Sequence, residues 1–332
     1  MMSDSRPVVL PGEDAQSLPA TARDHLAIMR LDHATKHVVI LPGIVLATLL
    51  RRGHIHASLW PFIAGALAAV LVASANYVIN EWLDRASDAH HPTKSARVAV
   101  RRRMNGGLVW LQWAVLLTLG LAAAASGGLV MGLIAAAFGA QGLIYNVPPV
   151  RSKDHAYLDV LSESVNNPLR LMLGWAMVDP TTLPPASLLL GAWLGGAFLM
   201  DAKRLSEYRE IVAAYGRERL TLYRASFAGY NEISLTASCL VYALISVMAL
   251  AIFFIKYRVE YILILPLIAL LFGKYLAIAM HPASAAQKPE TLFAEKGLMT
   301  IVALIVVMFA MCTMVDMPAL APLTAQTFIG FK

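Results

Sequence analysis

Residues 60–97 read WPFIAGALAAVLVASANYVINEWLDRASDAHHPTKSAR, an apolar run that ends in a cluster of charges. The run is long enough to cross a bilayer as one helix, which takes about 20 residues. At its end Asn80, Asp84 and Asp88 recur every four residues. If the helix continues, all three lie along one face. Two carboxylates and an amide oxygen make a hard, all-oxygen surface, which suits Mg²⁺. That ion takes one or two carboxylates and completes its shell with water and substrate phosphate. Lys94 and Arg97 follow within two turns, beside Pro92. Carboxylates for a metal and cations for phosphate, at a membrane edge, point to a phosphorylated lipid. A solvated helix end with scattered charges is the plainer alternative.

The rest of the chain has the same character. Of 332 residues, 58% are hydrophobic and 14% charged, against roughly 45–50% and about 25% in a soluble domain. The apolar excess falls into nine runs, at about 37–50, 60–82, 107–125, 128–146, 157–178, 185–201, 233–255, 260–280 and 297–317. The chain is therefore expected to be an all-α polytopic membrane protein with nine transmembrane helices. Its expected organisation is a flexible cytoplasmic tail over 1–24 and one membrane domain over 25–332, whose halves span about 37–155 and 157–317.

A net charge of +6 raises nucleic acid as a partner. The placement of the basic residues argues against it. They cluster in alternate loops, as the positive-inside bias predicts. Arg85 to Arg103, Arg151 with Lys153, Lys203 to Arg224, and Lys288 with Lys296 fall on one side, and mainly Arg51, Arg52, Lys256, Arg258 and Lys332 on the other. The amino terminus and the Asp84 motif are thus expected to face the cytoplasm, in the plasma membrane of a bacterium. Cys239 and Cys312 both lie in apolar runs, so neither a disulfide nor a zinc site is expected.

Three further stretches carry polar chemistry. Residues 24–37 mix apolar and basic positions and are expected to lie along the interface before the first span, where Pro42 introduces a kink. Arg30 and Lys36 there either snorkel to headgroups or reach a phosphate. The fifth run carries Asp159, Glu163, Asn166, Asn167 and Arg170. Such groups are costly in a membrane and face a bundle interior or cavity, so Asn166, Asn167 and Arg170 are expected to line the site. After the sixth run comes DAKRLSEYRE, residues 201–210, charged and helical in pattern. It is either a salt-bridged surface helix or the second half of a duplicated site facing a shared cavity.

Together these features resemble the UbiA superfamily of intramembrane prenyltransferases. NEWLDRASD is similar to the family's first motif, N-D-x-x-D-x-x-x-D, with Glu81 in place of the first Asp. HPTKSAR resembles the basic stretch behind it, and YNVPPVRSK, residues 145–153, resembles a further Tyr/Pro-Pro/Arg/Lys segment. The resemblance implies a UbiA-type helical bundle and a transferase that uses Mg²⁺ to hold an isoprenyl diphosphate. It implies that Asn80, Asp84 and Asp88 hold metal, that Lys94, Arg97 and Arg151 contact phosphate, and that Tyr145 lines the cavity. The second family motif, D-x-x-x-D, is not reproduced: Asp201 and Glu207 are six apart. KRLSEY is closer to a subgroup, the polyprenyl-phosphate phosphoribosyltransferases. Arg30, Lys36, Pro42, KYLAIA and KPETLFAEKGLM also fit it. That likeness implies a phosphoribosyl diphosphate donor and a polyprenyl phosphate lipid acceptor, with Lys203 and Arg204 on a second phosphate and Glu207 holding metal or ribose. Prenyl transfer is the leading expectation, phosphoribosyl transfer the second, and a transporter or scaffold the third.

Overall fold

A computed structural model describes residues 18–51, 58–281, 284, 286 and 292–325. Most of the expected tail, and Arg52, Lys288 and Lys332, lie outside the described residues, as does the side chain of Lys36. Among the described residues there is no β-strand, only one bridge between Pro19 and Arg103. The main helices in chain order are α1 (Ala22–Ala27), α2 (Ile40–Leu50), α3 (Trp60–Leu83), α4 (Gly106–Gly127), α5 (Leu129–Asn146), α6 (Leu158–Ser164), α7 (Asn166–Val178), α8 (Ala186–Tyr215), α9 (Arg217–Tyr223), α10 (Glu232–Tyr257), α11 (Leu265–Met280) and α12 (Lys296–Met314). The fold is all-α, and the protein is an integral membrane protein.

Among the described residues, six helical segments are long and apolar enough to span a bilayer: α3, α4, α5, α10, the Val259–Met280 segment that ends in α11, and α12. The other three expected spans depart from a simple crossing helix, each for a visible reason. Pro42 falls in the first turn of α2, where its missing N–H costs nothing. Residues 31–39 form a tight 3₁₀ segment and α2 keeps only 11 residues. The fifth run breaks at Val165 into α6 and α7. The sixth becomes α8, whose 30 residues would extend about 45 Å, beyond the hydrocarbon thickness. Its second half carries the charges of DAKRLSEYRE.

The described residues form two compact units. The first runs to Leu183 and regains the chain at Tyr215–Gly229. Its core is a run of small residues on α3, including Ala64, Ala68, Ala69 and Ala73, packed with Phe138 of α5 and Leu173 and Met177 of α7. Small side chains let helix backbones approach closely, which is how helices associate in lipid. The α2–α7 contact is the extreme case. A Cβ on Gly43 would lie 2.1 Å from the Leu171 carbonyl oxygen, and one on Gly174 2.1 Å from that of Ile40. Gly128, at φ +136°, turns the chain between α4 and α5, a backbone shape that favours glycine. Asn105 starts α4 by accepting bonds from the Gly107 and Leu108 amides, the usual role of an N-cap.

The amino-terminal segment belongs to this unit. Thr21 and Asp24 form a capping box on α1. The Gln112 amide donates to the His25 carbonyl at 2.8 Å, and Ile28 is fully buried among Ala75, Val78, Ala99 and Val109. The second unit holds α8 and α10 to α12. There Phe198 packs on Phe272 at 4.6 Å, Tyr261 stacks on Phe309 at 4.8 Å, and the Ser246 hydroxyl donates to the Gly191 carbonyl at 2.9 Å.

Candidate active site

The α3 helix formally ends at Leu83, but the Asp88 amide still donates to the Asp84 carbonyl at 2.7 Å. Turn-by-turn spacing therefore persists through Asn80, Asp84 and Asp88. Asp84 is 9% exposed and Asp88 2%. A buried carboxylate is costly unless it is paired and hydrogen-bonded, and both are. Arg151 donates to Asp84 Oδ1 at 3.0 Å, and the Lys153 ammonium lies 2.5 Å from the same oxygen. Arg97 reaches Asp88 Oδ2 at 2.6 Å. The Asn80 amide nitrogen donates to Asp84 Oδ2 at 3.3 Å and to Asn146 Oδ1 at 2.6 Å, which leaves its own oxygen as the donor atom for a cation.

Charge balance differs between the two carboxylates. Burial pushes the Asp84 carboxyl up, but the Lys153 ammonium, with Arg224 and Arg151, more than offsets it and holds it below the usual range. At Asp88 burial prevails over Arg97 and Lys94, and the carboxyl rises. Burial also lowers Lys153 to about 8, against the opposing pull of Asp84. The cations crowd each other as well as serving Asp84.

The YNVPPVRSK stretch supplies this cationic wall. Helix α5 stops at Asn146, ahead of Pro148 and Pro149. Arg151 then adopts φ +29°, a conformation rare for a residue with a side chain and typical of functional sites. Lys153, only 3% exposed, is turned inward to bond Asn146 at 2.8 Å as well as Asp84. The Tyr145 hydroxyl donates to Glu163 at 2.8 Å. Arg224 donates to the Tyr145 oxygen at 3.4 Å and to Asp159 at 3.2 Å. Lys94 contacts the Tyr223 hydroxyl.

The first unit therefore gathers Asn80, Asp84, Asp88, Lys94, Arg97, Tyr145 and Arg151. Arg170 has other company in the same unit. It is 6% exposed, with its guanidinium 5.0 Å from the Phe138 ring centre and the Tyr77 hydroxyl as hydrogen-bond partner. Asn167 is half-buried in the first turn of α7. Lys203, Arg204 and Glu207 lie on α8 in the second unit, where Arg204 and Glu207 form a buried pair at 3.0 Å. Asp201 there is fully buried and accepts the Ser238 hydroxyl. Four residues beyond the sequence-based set join the first cluster: Asn146, Lys153, Tyr223 and Arg224. Asn146 and Lys153 were signalled by their motif. Tyr223 and Arg224 had no signal beyond a generally basic loop.

Among the described residues, no three His, Cys, Asp or Glu side chains converge on one point. A Mg²⁺-type ion takes one or two carboxylates and completes its shell with water and substrate oxygens. Two carboxylates and an amide oxygen, with no sulfur or imidazole among them, fit such an ion. The surrounding Lys94, Arg97, Arg151 and Lys153 fit a polyanion.

The site is thus a buried acidic array walled by cations, set in an all-α membrane fold. The chain belongs to the UbiA prenyltransferase family, whose model matches residues 39–295. Its fold is similar to that of a UbiA homologue from Archaeoglobus fulgidus bound to GPP and Mg²⁺, at 21% identity and a TM-score of 0.63, covering 88% of this chain and 100% of that one. The same homologue bound to DMAPP and Mg²⁺ gives 20% identity, a TM-score of 0.65 and the same coverage. A structure of digeranylgeranylglyceryl phosphate synthase gives 13% and 0.56, covering 88% of this chain and 98% of that one. The nodulation protein NoeC of Azorhizobium caulinodans is 34% identical over 142 residues, 42% of this chain. The match spans 44% of that relative's length.

Proposed function

We propose that this protein transfers a prenyl group from an isoprenyl diphosphate to an acceptor, with Mg²⁺ held by Asn80, Asp84 and Asp88. The observation that carries the reading is Asp84 itself, a buried carboxylate met by Arg151 and Lys153. A cation-walled carboxylate is what a metal–diphosphate complex requires. Bound Mg²⁺ would neutralise charge on the departing diphosphate. The chain's own groups would do the rest. Arg151, Lys153 and Arg97 exchange carboxylate partners for phosphate oxygens as the donor arrives, and Lys94 adds its charge beside them. Their charge then stabilises the leaving group in a low-dielectric setting, where it counts most. Tyr145 lines the cavity beside them, and the apolar helices exclude water from the allylic centre. The Archaeoglobus fulgidus homologue was solved with GPP and DMAPP, donors of this class.

A second reading, phosphoribosyl transfer to a polyprenyl phosphate, has one observation in its favour. Glu81, which departs from the prenyltransferase motif, lies 3.6 Å from Arg30, a residue by which the chain resembles the phosphoribosyl subgroup. One paired assay separates the two. Protein in lipid nanodiscs with Mg²⁺ receives either labelled geranylgeranyl diphosphate with an aromatic acceptor pool, or labelled phosphoribosyl diphosphate with polyprenyl phosphate. A Mg²⁺-dependent prenylated product is expected. Label in a lipid phosphosugar alone would replace the first reading with the second.

A further inference from the structure

The segment 215–229 lies between two stretches of the second unit yet packs with the first. It begins at Gly216, whose φ of +82° turns the chain with nothing within 4 Å of a would-be Cβ. Its two adjacent residues Tyr223 and Arg224 then serve two different motifs. Helix α9 ends at Tyr223, and Arg224 is extended at φ −149°, so their side chains diverge. Arg224 goes to Tyr145 and Asp159, at the end of α5 and the start of α6. Tyr223 goes to the loop behind the Asp84 motif.

That second contact is tightly built. Tyr223 is 4% exposed. Its ring packs edge-to-face on His91 at 4.4 Å, and its hydroxyl contacts the Lys94 ammonium. His91 Nδ1 in turn accepts the Lys94 backbone amide at 3.2 Å, so ring and backbone are fixed together. One turn earlier on α9, Arg219 donates to the His90 carbonyl at 3.1 Å. Lysine has four rotatable side-chain bonds and loses considerable rotamer freedom when held. A rigid phenol at its tip removes much of that loss before a ligand arrives, which is how preorganisation raises affinity.

We propose that Tyr223 is a positioning residue for Lys94, holding its ammonium in place to receive a substrate diphosphate. This rests on the reading of the first-unit cluster as a diphosphate site, and it assigns a role to a residue some 129 positions from the lysine it serves.

The test is a double-mutant cycle on binding of inorganic diphosphate with Mg²⁺, followed by calorimetry on the full chain in nanodiscs. Lys94→Met is expected to weaken binding about 10-fold, as for loss of one charge-assisted contact. Tyr223→Phe keeps the ring against His91 and is expected to weaken binding about 5-fold. In the double variant the phenylalanine adds nothing, because the group it positions is gone. A purely structural tyrosine would act equally in both backgrounds. Additive losses, or wild-type affinity in Tyr223→Phe, would overturn the assignment and leave the diphosphate site standing. Absence of any Mg²⁺-dependent binding by the wild-type protein would overturn the site and the assignment together.

Discussion

The Asp84 carboxylate and the Lys153 ammonium lie 2.5 Å apart, although they are 69 residues apart in a membrane protein where either group alone would be expensive. The same Lys153 bonds Asn146, and Asn146 accepts from Asn80. The pair therefore ties the metal-type motif at the end of α3 to the Pro-Pro loop after α5. Breaking one side should cost both fold and function. Lys153→Met leaves Asp84 buried with Arg151 as its remaining ion-pair partner. We expect a loss of roughly 3–5 kcal/mol in stability, as for other broken buried pairs, seen as a lower melting temperature in nanodiscs. Asp84→Asn, which keeps the shape and removes the charge, leaves Lys153 buried without its carboxylate, so it should also melt lower than wild type while transfer falls about 100-fold or more.

Divalent metal should be needed for donor binding rather than for folding. The acidic array is already balanced by Arg97, Arg151 and Lys153. Chelation should thus leave the melting temperature unchanged without donor. With isoprenyl diphosphate present, chelation should abolish the stabilisation that a bound ligand confers, about 2.7 kcal/mol at a hundredfold excess over Kd. A metal-dependent melting temperature in the absence of donor would contradict this.

The α2–α7 crossing offers a packing test away from the chemistry. Gly174→Ala would place its Cβ 2.1 Å from the Ile40 carbonyl oxygen, a backbone atom that cannot swing aside. Overpacking of this kind costs about 1–3 kcal/mol. Gly273→Ala on α11 meets nothing within 4 Å and should be neutral or slightly stabilising, since alanine is the better helix former. Comparing the two melting temperatures checks the steric argument.

Asp179, at the far end of α7, gives a pH signature. Burial pushes its carboxyl up, but the Thr181 and Thr182 hydroxyls, the Thr181 amide and Arg51 hold it well below the usual carboxylate value of 3.8. Bonds from Thr182 at 2.6 Å and Arg51 at 2.7 Å show the cause. A carboxylate with a depressed folded pKa contributes its full stability above the unfolded pKa and loses it as pH falls through the folded one. Asp179→Asn should therefore melt lower than wild type at pH 7, by about 2 kcal/mol. The gap should narrow only below pH 3.8. Melting curves of both proteins at pH 7 and pH 3 check the sign.

Much of this was legible in the sequence because it is carried by local periodicity. The α3 run and the i, i+4 spacing of Asn80, Asp84 and Asp88 fix one helix face whatever the tertiary context. Apolar length marked every bundle helix, though not the shape of three of them. Pro42 is harmless in the first turn of α2, and a sequence does not say where that turn falls. What was illegible depends on distant chain segments. Lys153 is a buried wall residue because Pro148, Pro149 and the left-handed Arg151 turn it inward. Tyr223 and Arg224 join the cluster because residues 215–229 pack with the first unit. Arg170, expected to line the site because ionisable groups are costly in a membrane, meets Tyr77 and Phe138, partners that no spacing rule names.

The central claim is that Asn80, Asp84 and Asp88 hold the divalent ion of a metal–diphosphate complex. It is tested most directly by electron paramagnetic resonance with Mn²⁺ as the spin probe and a non-hydrolysable thiolodiphosphate analogue of geranylgeranyl diphosphate. The account predicts bound Mn²⁺ in the wild-type protein only when the analogue is present, and its loss in Asp84→Asn and Asp88→Asn variants that melt as folded proteins. Equal Mn²⁺ binding by the wild type and both folded variants would contradict it.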